Sequence, residues 1–80
     1  MGHTMKRSNY TTENCVIAKE TEKAIALKAW ATDTFTKKTW PVLVWVPRSI
    51  ISGTIIPDWF LGKKFSEAHY DGKDLTIETI

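Results

Sequence analysis

Cysteine is nearly missing, with Cys15 the single thiol in 80 residues. No intramolecular disulfide can form, and one thiol supports neither a Cys-rich zinc site nor a secreted disulfide scaffold. Long apolar runs are missing as well. The longest stretches without a charge, Thr39–Pro47 and Ser49–Pro57, are each less than half of the roughly 20 residues a membrane helix requires, and both contain proline. Near the start, Lys6 and Arg7 lead into the polar run Ser8–Glu13 and not into an apolar segment, so no secretory signal is expected and a cytoplasmic setting is. Charge of one sign is scarce locally. Between Thr34 and Pro57 there is no acid, only Lys37, Lys38 and Arg48, whereas Asp71–Ile80 holds Asp71, Asp74 and Glu78 against Lys73 alone. The net charge is only +2, short of the excess that marks a dedicated histone-like binder.

Chemistry-bearing groups are equally thin. His3 falls in the polar start and His69 beside a turn, and no His-x-Glu, His-Glu-x-x-His or Cys-x-x-Cys spacing exists to hold a metal. Cys15 has no neighbouring cation in sequence except Lys19 and reads as a buried, inert thiol. Gly53 and Gly62 stand alone and Gly72 belongs to a turn, so no glycine-rich phosphate cradle is present. A nucleophile or acid/base pair with a group to orient it is not recognisable. The expectation is a non-enzyme without metal or cofactor.

Tryptophan, by contrast, is abundant: four in 80 residues. A domain this small buries only about 60% of its unfolded surface, so these indoles are either packing mass for a meagre core or a binding surface. Residues 1–13 are polar and aperiodic and read as a mobile arm, with a single β-rich domain over 14–80. Cys15–Glu20 and Lys23–Trp30 suit the arms of a β-hairpin across the polar step Glu20–Lys23. In the second arm Ile25, Leu27 and Ala29 alternate with Ala24, Ala26, Lys28 and Trp30, the pattern of a half-covered strand, although its Ala, Glu, Lys and Leu content leaves a helix as the competing reading. Ala31–Thr36 reads as a loop that throws Phe35 outward or back onto the core. Thr39–Val46 is dense in β-branched and aromatic residues, with Pro41 restricting it to an edge or a bulge. Trp40, Val42, Val44 and Val46 share one face of that strand and Leu43 and Trp45 the other, so it is apolar on both sides.

Pro47 ends the strand. Arg48–Ile51 suits an extended or single-turn piece, and Ser52-Gly53 marks a turn before the short apolar run Thr54–Ile56. Pro57–Phe65 opens with proline and an acid and closes on Lys63 and Lys64, the signature of one short helix. Tyr70–Lys73 turns around Asp71-Gly72, and Leu75, Ile77 and Ile80 suggest a last strand. The sum is a mainly β, α+β fold: a small antiparallel sheet or open barrel of four to five strands with one short helix.

The stretch Trp45-Val46-Pro47-Arg48-Ser49, followed by Ile56-Pro57-Asp58-Trp59-Phe60, resembles small uncharacterised proteins of bacterial phages and mobile elements. In those a hairpin like Lys23–Lys28 precedes a W-[IV]-P-[KR]-S motif, and a helix beginning I-P-x-W follows. The resemblance runs from about Ala18 to Phe65, with Ala31–Lys38 inserted and Pro41 departing from the simplest pattern. It implies a setting in which small proteins assist replication or counter host defence.

Aromatic residues interleaved with basic ones complete the reading. Lys37, Lys38, Trp40, Trp45, Arg48, Trp59, Lys63 and Lys64 form the candidate binding set, because a base can stack on an indole while a nearby cation meets its phosphate. The expected partner is single-stranded nucleic acid or a replication enzyme acting on it. A protein-interaction module or inhibitor of a host or phage enzyme is the alternative, since Trp and Arg also anchor protein interfaces, and a homodimer would use the same surplus.

Overall fold

A computed structural model of the chain describes residues 10–80. Four strands and one main helix follow in the order β1 (Ile17–Glu20), β2 (Ala24–Asp33), β3 (Thr39–Pro47), a 3-10 turn (Arg48–Ile50), α1 (Asp58–Tyr70) and β4 (Lys73–Ile77). The fold is the expected mainly β, α+β one, an open antiparallel sheet covered by a helix.

β2 is the spine of the sheet. β3 pairs with its whole length, from Ala24 opposite Pro47 to Thr32 opposite Thr39. The other edge of β2 is shared end to end: β1 takes Ile25–Leu27 and β4 takes Ala29–Asp33. The two shorter strands are themselves joined where Cys15 bridges to Thr79 and the Val16 N–H donates to the Glu78 carbonyl at 3.0 Å. Ladders on both edges draw Ala31–Asp33 into β2, where the sequence suggested a loop. Only Thr34–Lys38 turns, and Phe35 does project into solvent, 89% exposed.

The odd positions of β2, Ile25, Leu27 and Ala29, face α1 and meet Val44, Val46 and Ile77 from neighbouring strands with Cys15, Ile56 and Leu61. α1 closes this side through Leu61, with Phe60 and Phe65 packed at the margin. Sequence signals ended the helix near Phe65; it runs five residues further, to Tyr70. Phe65 lies against the core and Ala68 is partly buried, so the turn beyond the lysines still gains from packing. The stop comes at Gly72, whose φ of 76° gives the left-handed backbone that glycine adopts at least cost and whose N–H donates to the His69 carbonyl.

Part of the expected arm, Tyr10–Glu13, is described. Residues 1–9 of the expected arm lie outside the described residues, but Tyr10–Glu13 are held: the Ile56 N–H donates to the Tyr10 carbonyl, Thr12 bonds to Thr54, and the Tyr10 ring sits 6.3 Å from that of Phe65. An aromatic in contact with the core fixes a segment that polarity alone marked as free.

Truncating the seal between helix and sheet should be severe. Leu61→Ala removes a fully buried side chain at a cost of about 2–5 kcal/mol, most of the ~3–5 kcal/mol a core of this size supplies. Urea titration followed by circular dichroism is expected to show the variant largely unfolded without denaturant, while Phe35→Ala stays within about 0.5 kcal/mol of wild type.

Candidate functional site

Among the described residues one helix covers one face of the sheet, and no element covers the opposite face. Alternation puts Ala24, Ala26, Lys28, Trp30 and Thr32 of β2 on that open side, across from Pro47, Trp45, Leu43, Pro41 and Thr39 of β3. Hydrogen bonds fix the parity. Arg48 N–H donates to the Lys23 carbonyl and Asp33 N–H to the Lys38 carbonyl, whereas Lys28 bonds to Val16 and Glu78 on the other edge. Odd β2 residues therefore bond to β3, and the open-face pairs are the non-hydrogen-bonded ones, whose side chains approach most closely. Trp45 is 42% exposed and Leu43 40%. Ala26, directly opposite Trp45, is nonetheless fully buried.

One lysine on this face is already paired, while Lys19 of β1, opposite Ala26, and Asp74 of β4, opposite Thr32, share the face without an ion pair among the described residues. Lys28 Nζ stands 5.2 Å from the Trp30 ring centroid and 3.5 Å from Glu78 Oε1, and Trp30 Nε1 donates to the same oxygen at 2.7 Å. Lysine, indole and carboxylate thus hold one another in place. At the end of β3, Pro47 stops the strand and Arg48 folds back on the β1–β2 turn, its Nη2 donating to Glu20 Oε1 at 2.9 Å and its Nε to the Thr21 carbonyl at 3.0 Å. Exposed pairs such as these contribute about 0–1 kcal/mol each; the Arg48–Glu20 pair lies on the Ile25 side of the sheet, so only Lys28–Glu78 belongs to the open face.

The eight residues singled out from sequence fall into separate places. Trp45 is on the open face, and Trp40, one position out of phase with it, lies partly buried on the helix side. Lys37 and Lys38 sit in the β2–β3 turn, at the opposite end of β3 from Arg48. Trp59, 64% exposed, packs edge-on against Phe60 and is followed one helical turn later by Lys63. Lys64 lies 5.3 Å from the Phe60 centroid and 3.8 Å from Glu67. No single track connects them. Sequence reasoning left Lys28, Trp30, Leu43 and Glu78 out of the candidate binding set. The period-two pattern of β2 already placed Lys28 and Trp30 together, but Glu78 reaches them only through the pairing of the last strand with β2.

The β2–β3 turn is built tightly. Asp33 accepts the Phe35 and Thr36 N–H groups on Oδ1 at 2.8 and 2.9 Å, Lys37 N–H donates to the Asp33 carbonyl, and Thr34 is clamped to the Gly72 carbonyl by both its N–H and its hydroxyl. Lys37 has a φ of 64°, a left-handed conformation unusual for a residue with a Cβ. The Thr36 and Phe35 N–H groups hold the Asp33 carboxyl below its ordinary range. Burial pushes the Cys15 thiol up, away from the thiolate that reactivity needs. Among the described residues no three His, Cys, Asp or Glu side chains come together as a metal site, and no helix is long and apolar enough to cross a membrane.

No protein-family model, curated protein or solved structure matches this chain.

Two measurements check the turn. Lys37→Gly should raise stability by about 1 kcal/mol, because glycine takes the left-handed backbone without the Cβ clash; chemical denaturation reads it. A depressed folded-state pKa means that Asp33 stabilises the fold fully above the ordinary aspartate range, and that this contribution is lost as pH falls through the lowered value. Asp33→Asn is expected to flatten that acidic limb when wild type and variant are denatured at a series of pH values.

Proposed function

We propose that this chain is a non-catalytic binding module whose working surface is the open face of the sheet, and that its partner is a protein. The observation that carries this reading is exposed Trp45 and Leu43 standing beside Lys28, the cation opposite Leu43, which Glu78 already holds. Stacked bases need unclaimed positive charge beside the aromatic surface. A protein interface instead favours a central aromatic anchor ringed by paired polar groups. The motif resemblance sets that partner among the enzymes of replication or defence that small phage and mobile-element proteins serve or block.

A second reading, single-stranded nucleic acid, is favoured by a different place. Trp59 and Lys63 are neighbours on the exposed side of α1, an indole with a cation that makes no ion pair among the described residues. Salt separates the two. With an unstructured oligothymidine at low ionic strength, the protein reading expects tryptophan emission to stay unchanged. Nucleic-acid binding expects quenching that fades steeply as salt rises. In the cells where the chain acts, a tagged protein should retain its partner through a 0.5 M salt wash, on the order of three times physiological ionic strength, and Trp45→Glu should release it. Oligonucleotide quenching abolished by Trp45→Glu would overturn the protein reading.

A further inference from the structure

β3 is an edge strand, hydrogen-bonded to β2 alone. With its even positions turned to β2, the backbone groups of Thr39, Pro41, Leu43, Trp45 and Pro47 point away from the sheet. Two of these five are prolines and offer no N–H. Both ends of the edge are therefore closed to a long strand, and an interval remains in the middle where Leu43 and Trp45 each carry an N–H and a carbonyl with no hydrogen-bond partner among the described residues. Beside this interval, between β3 and α1, runs an open cleft of about 310 Å³. Val42, Val44 and Leu75 give it apolar character and Lys64, Glu67 and Asp71 line its helical wall. Lys64 is within 3.8 Å of Glu67, whereas Asp71 makes no ion pair among the described residues.

We infer that the middle of β3 takes up a short extended peptide of a partner protein as an added strand. Unpaired, outward-pointing backbone groups on an edge specify extended backbone chemically, because only another strand supplies donors and acceptors at matching intervals. The prolines set the length: the peptide pairs around Leu43 and Trp45 and diverges before Pro41 and Pro47, an added strand of about five residues. Alternate side chains of that strand drop toward Val42 and Val44 and are apolar. The unpaired Asp71 carboxylate on the wall asks for a lysine or arginine at the end of the peptide nearest the β2–β3 turn, since Gly72 next to it is bonded to Thr34. This site is made of backbone and cleft; Leu43 and Trp45 line the cleft's rim as well, so it adjoins the open face, and it rests on the earlier reading in taking a polypeptide as partner.

The test uses the whole chain, isotope-labelled, with a blocked synthetic hexapeptide of alternating valine and threonine carrying one terminal lysine. Binding should shift the Leu43 and Trp45 amide resonances and slow their exchange with solvent. N-methylation of alternate peptide amides in the pairing register should abolish both effects. Leu43→Pro places a third proline at an outward position, like Pro41 and Pro47, and should weaken binding roughly tenfold by deleting one edge donor. Leu43→Ala keeps that donor and should bind within about threefold of wild type. Should Leu43→Pro fail to fold, the N-methylated peptide decides alone. Asp71→Lys should shift preference to the same peptide ending in glutamate. Absence of any response at Leu43 and Trp45, equal binding of the N-methylated peptide, or unchanged affinity in folded Leu43→Pro overturns the inference. The N-methylated peptide leaves every protein side chain as it is, so its outcome is separate from the Trp45→Glu experiment that tests the open face.

Discussion

Everything in this fold depends on β2 bonding along both edges at once. Its odd residues exchange hydrogen bonds with β3 and its even residues with β1 and β4, so one ten-residue strand sets the register of all the others. The same parity sends Ile25, Leu27 and Ala29 to the helix side and Ala26, Lys28 and Trp30 to the open side. A slip by one residue would exchange the two sets, burying Lys28 and exposing Leu27. The cost of an unpaired buried lysine makes that alternative untenable in a domain with only ~3–5 kcal/mol of net stability.

The constraint explains the prolines. Pro41 and Pro47 occupy β3 positions whose N–H would point away from β2, so neither deprives the ladder of a bond. Each also removes a donor from an edge that would otherwise invite another chain along its full length. A nine-residue edge strand rich in valine and tryptophan is the kind of segment that pairs indiscriminately. Reducing its free edge to the neighbourhood of Leu43 and Trp45 converts a liability into something selective in length.

Much of this was legible beforehand. Period-two alternation in Ala24–Trp30 and Thr39–Val46 gave two strands and their faces, and Pro41 marked the edge. Pro57-Asp58 marked the helix start one residue early, and Arg48–Ile50 forms the single turn allowed after Pro47. What escaped was long-range. Ala31–Asp33 looks like a loop until β4, some 40 residues away in sequence, pairs with it. The helix outlasts its lysines, with Phe65 against the core and Ala68 partly buried, which no local signal encodes. The candidate surface divided for the same reason. Basic and aromatic residues adjacent in sequence sit on opposite faces of a strand or on different layers, and carboxylates from elsewhere, Glu20 and Glu78, arrive to claim Arg48 and Lys28.

The four tryptophans carry the argument a step further. The buried core is entirely aliphatic apart from Cys15, and not one indole belongs to it. A small domain short of packing mass would place its largest side chains inside, where each buries on the order of 150–250 Å². This one spends leucine, isoleucine, valine and alanine there and leaves tryptophan at the surface on three separate sites: Trp30 and Trp45 on the open face, Trp40 at the helix-side margin of β3, and Trp59 on the first turn of α1. Trp30 is held by Lys28 and Glu78, so its exposure is structural in part. Trp45 has no hydrogen bond or ring contact among the described residues to explain its place beside solvent. An indole left 42% exposed and without such a bond or contact is where desolvation by a partner gains most, and it stands on the stretch of β3 edge between the two prolines.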